Sequence, residues 1–164
     1  MGRLYAVKNA FTTLTAANGN IDWLELAPAS NKDCILRGWR FSQRSIVGDT
    51  AETVVSFRVL RLTATVTSGS GGVTPSVETQ FETERGLQGF TVEGFNPTVA
   101  TTSGSTRELD EFGWNLRYTP FEFWYPDAAY CPGVKNAESL FIRQDSTLPS
   151  SIDCAATFWI EEMG

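Results

Sequence analysis

The chain has 164 residues, with 13 Lys and Arg against 19 Asp and Glu and no His, for a net charge of −6. That length suits one domain over 1–164 with a real hydrophobic core, needing no metal or disulfide staple. Apolar residues at 41% and charged residues at 20% exclude a disordered chain. The apolar runs are far shorter than the roughly 20 residues of a membrane helix, so no membrane partner is expected.

The missing His removes His-dependent triads, the usual general base near neutral pH and the commonest zinc ligand. Cys34, Cys131 and Cys154 form no C-x-x-C pair. They are expected to be reduced thiols filling apolar space, with no cofactor, no metal and no disulfide. An acidic balance with three Lys argues against direct nucleic-acid binding, which draws its affinity from phosphate neutralisation. The start, Met1-Gly2-Arg3-Leu4-Tyr5, lacks the apolar core of a secretion signal, so synthesis in the cytoplasm is expected. No catalytic constellation emerges, and a non-enzyme is the expectation.

Along the chain, strand patterns dominate. Arg3–Leu14 alternates imperfectly and closes at the turn Ala16-Ala17-Asn18-Gly19-Asn20. Ile21–Ala27 is a strand ended by Pro28, and Cys34–Phe41 sets Trp39 and Phe41 on one side and Arg40 on the other. Thr53–Thr65 is the cleanest, with Val55, Phe57 and Val59 on one face and Ser56, Arg58 and Leu60 on the other.

From Val66 to Gln80 the composition turns to Ser, Thr, Gly and Pro, including Ser68-Gly69-Ser70-Gly71-Gly72. It offers little apolar area, so a long, exposed Gly/Ser-rich loop or arm is expected, mobile in the free protein. Gln80–Gly89 is the candidate short helix, with Glu82 and Glu84 on its surface. Further strands are expected at Thr98–Thr102, Glu111–Tyr118, Phe121–Tyr125, Ser139–Gln144 and Ile152–Glu161. The last alternates Ile152, Cys154, Ala156, Phe158 and Ile160 on one face. About eight strands with Gly and Pro turns imply an all-β antiparallel β-sandwich, with a jelly roll as the leading topology.

The acidic run Glu108-Leu109-Asp110-Glu111 is read as a solvated turn. Phe121-Glu122-Phe123-Trp124-Tyr125-Pro126 is the densest aromatic run. Its rings either enter the core or form a contact surface, and alternation must push some of them outward. Arg37, Arg40, Arg44, Arg58 and Arg61, with Asp49 and Glu52, fall on what should be neighbouring strands. They read equally as solvated faces or as protein–protein contacts, which favour Arg.

Several stretches carry a resemblance. They are Leu24-Glu25-Leu26-Ala27-Pro28-Ala29-Ser30-Asn31-Lys32, Ser42-Gln43, Gly48-Asp49, Arg58, Arg61, and Ser68–Gly72 with Pro75. The ends, Met1–Tyr5 and Phe158-Trp159-Ile160-Glu161-Glu162-Met163-Gly164, belong to the same likeness. The chain resembles tailed-phage capsid decoration (cement) proteins of jelly-roll type. The resemblance implies a non-enzymatic virion structural protein, made in the host cytoplasm and carried on the capsid exterior. It also implies that the chain binds the major capsid protein, stabilises the shell and forms a homo-oligomer, often a trimer. Phe121, Phe123, Trp124, Tyr125, Arg40 and Arg58 are the expected interface. The rival reading is a carbohydrate- or receptor-binding module of a phage tail or host-recognition apparatus, with Trp124 and Tyr125 as stacking platforms.

Overall fold

Side chains on a strand point alternately to opposite faces, so two faces that both bury apolar rows must meet as a sandwich. A computed structural model describes residues 2–16, 18–45, 53–79, 88–148 and 150–163. Gly48, Asp49, Glu52, Glu82 and Glu84 lie outside the described residues, as does the expected helix over Gln80–Gly89 except for its last two positions, which are not helical.

One sheet runs β10 (Phe121–Trp124), β3 (Asp33–Gln43), β13 (Ile152–Met163), β1 (Arg3–Leu14), β6 (Ser76–Thr79), with β11 (Gly133–Val134) also paired to β3. The other runs β7 (Phe90–Glu93), β2 (Ile21–Pro28), β12 (Ser139–Gln144), β4 (Val54–Leu62), β9 (Thr106–Asn115). A short ribbon joins β5 (Val66–Thr67) to β8 (Thr101–Thr102). Every ladder is antiparallel. The pairs β1–β13, β2–β12, β3–β10 and β4–β9 nest inside one another, and successive pairs alternate between the sheets. A long hairpin wrapped in this way is the jelly roll. The fold is therefore the all-β sandwich expected, with short strands β5, β6, β7 and β11 added and the strand expected at Thr98–Thr102 shortened to β8.

The core is aromatic. Trp23 is fully buried, and its ring centroid lies 4.7 Å from Phe41, 5.0 Å from Phe57, 5.0 Å from Phe95 and 5.9 Å from Trp114. Its Nε1 donates to Gln144 Oε1 at 3.0 Å, so the indole is buried without an orphaned donor.

Cys34 and Cys154 are buried in this core as expected, and burial pushes both thiols up to about 12. Cys131 is half-buried beside Arg37, and burial raises its thiol too, against the guanidinium's opposing pull. A thiol reagent applied to the native chain at mildly alkaline pH is expected to modify Cys131 alone. Mass mapping that finds Cys34 or Cys154 labelled at a comparable rate would contradict this placement.

Three expectations are corrected. The arginines of β3 and of β4 are not on neighbouring strands, because consecutive strands here pass to opposite sheets. Glu108-Leu109-Asp110-Glu111 is not a turn but the middle of β9, where the register slips between Asp110 and Glu108 and leaves Leu109 as a bulge. The Gly/Ser tract is not a free loop. Ser70 and Thr98 exchange backbone hydrogen bonds at 3.0 and 3.2 Å, Val73 and Gly94 do so at 2.7 and 3.0 Å, and Gly72 N donates to Asn96 Oδ1 at 3.2 Å. Glycine is needed for so close an approach, since a Cβ on Gly72 would lie 2.2 Å from Gly94 O. With Val66 and Ala100, this double arm covers Leu60, Leu62 and Phe141 on the outer face of the second sheet.

The arm rests on a buried carboxylate. Glu25 Oε2 accepts from Gly69 N at 3.0 Å and stands directly opposite Glu93 in the β2–β7 register. Burial raises its carboxyl above the ordinary Glu value, Glu93 and Asp22 add to this, and bonds from Ser68 and Gly69 oppose it. A folded-state pKa above the unfolded one means the native chain binds the proton more tightly. Stability from this site is thus present below the ordinary Glu value and lost as pH rises through the raised one. Glu25→Gln keeps the acceptor for Gly69 and gives Glu93 a donor. It is expected to raise stability near neutral pH and to change it little in acid, as read by urea denaturation across pH. A variant destabilised at neutral pH would contradict the assignment.

Candidate functional site

The outer face of the first sheet carries an exposed aromatic surface. β10 lies along β3 with Phe121 opposite Phe41, Glu122 opposite Arg40, Phe123 opposite Trp39 and Trp124 opposite Gly38. Alternation therefore turns Phe121 and Phe123 inward and Glu122 and Trp124 outward. On the far side of β3, Trp159 of β13 also pairs with Gly38. The two tryptophans meet above the glycine, with centroids 4.3 Å apart and planes tilted by 30°. A Cβ on Gly38 would lie 2.4 Å from Phe123 O and 3.1 Å from Trp124 Cδ2, so only glycine admits this arrangement.

Trp124 stays 43% exposed, and its Nε1 donates to Glu122 Oε1 at 2.8 Å. The Arg40 guanidinium sits 5.7 Å from the Trp159 ring centroid, within cation–π range. Arg40 also lines a groove of about 270 Å³ that ends on Phe11. Phe11 is 42% exposed because the β1–β13 register breaks between Asn9 and Thr12, a bulge that re-aims the ring. The Arg44 guanidinium lies 4.6 Å from the Phe11 ring centroid. Two apolar islands with an Arg beside each have the composition of a protein-contact face.

The six residues expected at the interface separate. Trp124 and Arg40 come together on this face. Phe121 is half-buried, with its centroid 6.4 Å from Phe41 and 6.0 Å from Phe112. Phe123 packs against Trp39 at 4.9 Å at the sandwich edge. Tyr125 is held inward by a 2.8 Å bond from its hydroxyl to Asp110 Oδ2, and burial with that carboxylate pushes the hydroxyl's pKa up. Arg58 lies on the outer face of the other sheet, paired with Asp145 and with Glu108 at 3.7 Å.

Trp159 and Phe11 are additions. Trp159 was readable from parity, since it interrupts the inward row Ile152, Cys154, Ala156, Phe158, Ile160 and must point outward. Phe11 gave no such signal, because a bulge cannot be read from alternation. Among the described residues no group of three or more Cys, Asp or Glu is placed to hold a metal. No family model, no curated protein and no solved structure matches the chain.

Proposed function

We propose that the chain is a capsid decoration protein, a non-enzymatic part of the virion exterior that binds the major capsid protein and stabilises the shell. The observation that carries this reading is the Trp124–Trp159–Arg40 patch, which sets a stacked aromatic pair beside a guanidinium on the outer face of the first sheet. The likeness to phage decoration proteins supports it as well. A ligand that binds the assembled shell and not its dissociated subunits stabilises the shell by linkage. Assembly as a homo-oligomer, a trimer in the proposal, would let small patches act together through effective concentration.

Trp124→Ala is expected to weaken co-sedimentation with shells stripped of the protein by about 2 kcal/mol per site, as for an aromatic hot spot. Trp124 sits at the sheet edge, so the melting transition of the variant should stay close to that of the parent. Undiminished attachment would remove this patch from the interface.

One feature favours a second reading, a carbohydrate-binding module of a tail or host-recognition apparatus. Glu122 stands at the edge of the Trp124 ring, where a carboxylate could accept from hydroxyls of a stacked sugar. Saturable glycan binding by the isolated chain, together with no attachment to shells, would decide for it.

A further inference from the structure

Away from the aromatic face, a cavity of about 540 Å³ opens at the end of the sandwich where β3 begins and β13 ends, lined by Arg61, Arg107, Lys135, Asp33 and Glu138 among others. Arg61 has the parity of Val55, Phe57 and Val59, all buried in the core, so it points between the sheets. Arg107 is its direct cross-strand partner in the β4–β9 ladder. Like charges placed directly opposite on a strand pair repel.

The surrounding groups satisfy this pair only in part. Arg61 Nη1 donates to Gly133 O at 3.3 Å, and Glu138 Oε2 lies 3.9 Å from Arg61 Nε, beyond hydrogen-bond reach. The Arg61 Nε is buried with no hydrogen-bond partner. Arg107 is in none of the ion pairs among the described residues. Among the described residues that line the cavity, three cations stand against two carboxylates, an excess of one positive charge.

We propose that this cavity binds a small organic acid, its carboxylate held between the guanidinium groups of Arg61 and Arg107. A singly charged carboxylate matches the excess of one, fits the planar Arg fork, and relieves the repulsion between the two side chains. The volume lies within the range of small-molecule pockets. This site is separate from the outer face of the first sheet and does not depend on the function proposed for that face.

The test is an NMR titration of the full chain with acetate, and separately with inorganic phosphate, at constant ionic strength set by chloride. Acetate is expected to shift the Nε–Hε signals of Arg61 and Arg107 saturably. Arg107→Gln, at an exposed position, is expected to keep the fold and weaken acetate binding about tenfold or more. Arg107→Glu turns the repelling pair into an attracting one, so it should abolish the acetate response and raise Tm by about 2 °C. Arginine signals that do not move, or equal acetate affinity in the Gln variant, would overturn the site. Phosphate binding that outcompetes acetate would overturn the carboxylate assignment, and a lowered Tm in the Glu variant would remove the premise of repulsion.

Discussion

Replacing Asp22 by Ala is expected to destabilise the fold by about 3–5 kcal/mol, the loss typical of removing one partner from a buried ion pair. Asp22 is fully buried on β2 and accepts from Arg143 Nε at 2.6 Å, Arg143 Nη2 at 3.0 Å and Ala100 N at 2.8 Å. Arg143 Nη2 also donates to Ala100 O at 3.0 Å. The pair thus pins the returning arm of the β4–β9 connection over Leu60 and Phe141. Without the carboxylate, a guanidinium only 14% exposed keeps its charge and loses its anionic partner, with Ala100 O still accepting from Nη2. Urea denaturation reads the effect directly. Adding Arg143→Leu to Asp22→Ala is expected to recover part of the loss, since the double variant leaves no uncompensated charge. A single-variant loss below about 1 kcal/mol would mean that this pair does not hold the arm.

Trp23→Ala is expected to cost about 3–5 kcal/mol, as for a large aromatic removed from a filled core. Four rings surround Trp23, from β3, β4, β9 and the loop carrying Phe95, so no single neighbour can collapse into the space. Trp23→Phe separates packing from polarity. It keeps most of the ring contacts but orphans Gln144 Oε1, on a side chain that is fully buried, at a cost of about 1–3 kcal/mol. Equal losses for the two variants would contradict that division.

Much of the sandwich was legible because stretches of its strands between the bulges keep a period of two. Val55, Phe57 and Val59, and the row from Ile152 to Ile160, marked inward faces without any knowledge of their partners. What alternation does not encode is which sheet a strand joins. Arg40 and Arg58 therefore looked like neighbours and lie on opposite outer faces. The arm from Ser68 to Val73 escaped because backbone hydrogen bonds and a buried Glu25 order it, and apolar area does not. Composition reports the second and is silent on the first. Tyr125 looked like a surface ring because its anchor, Asp110, sits in a run that reads as a turn. The Trp124–Trp159 stack required a glycine on the intervening strand, a relation between three strands that no single segment announces.

The most direct test of the proposed role is hydroxyl-radical footprinting of the chain, free and bound to shells stripped of the protein. The proposal predicts that Trp124, Trp159 and Phe11 lose reactivity on the shell while side chains on the outer face of the second sheet keep theirs. Protection confined to the second sheet, or no shell binding at all, would contradict it.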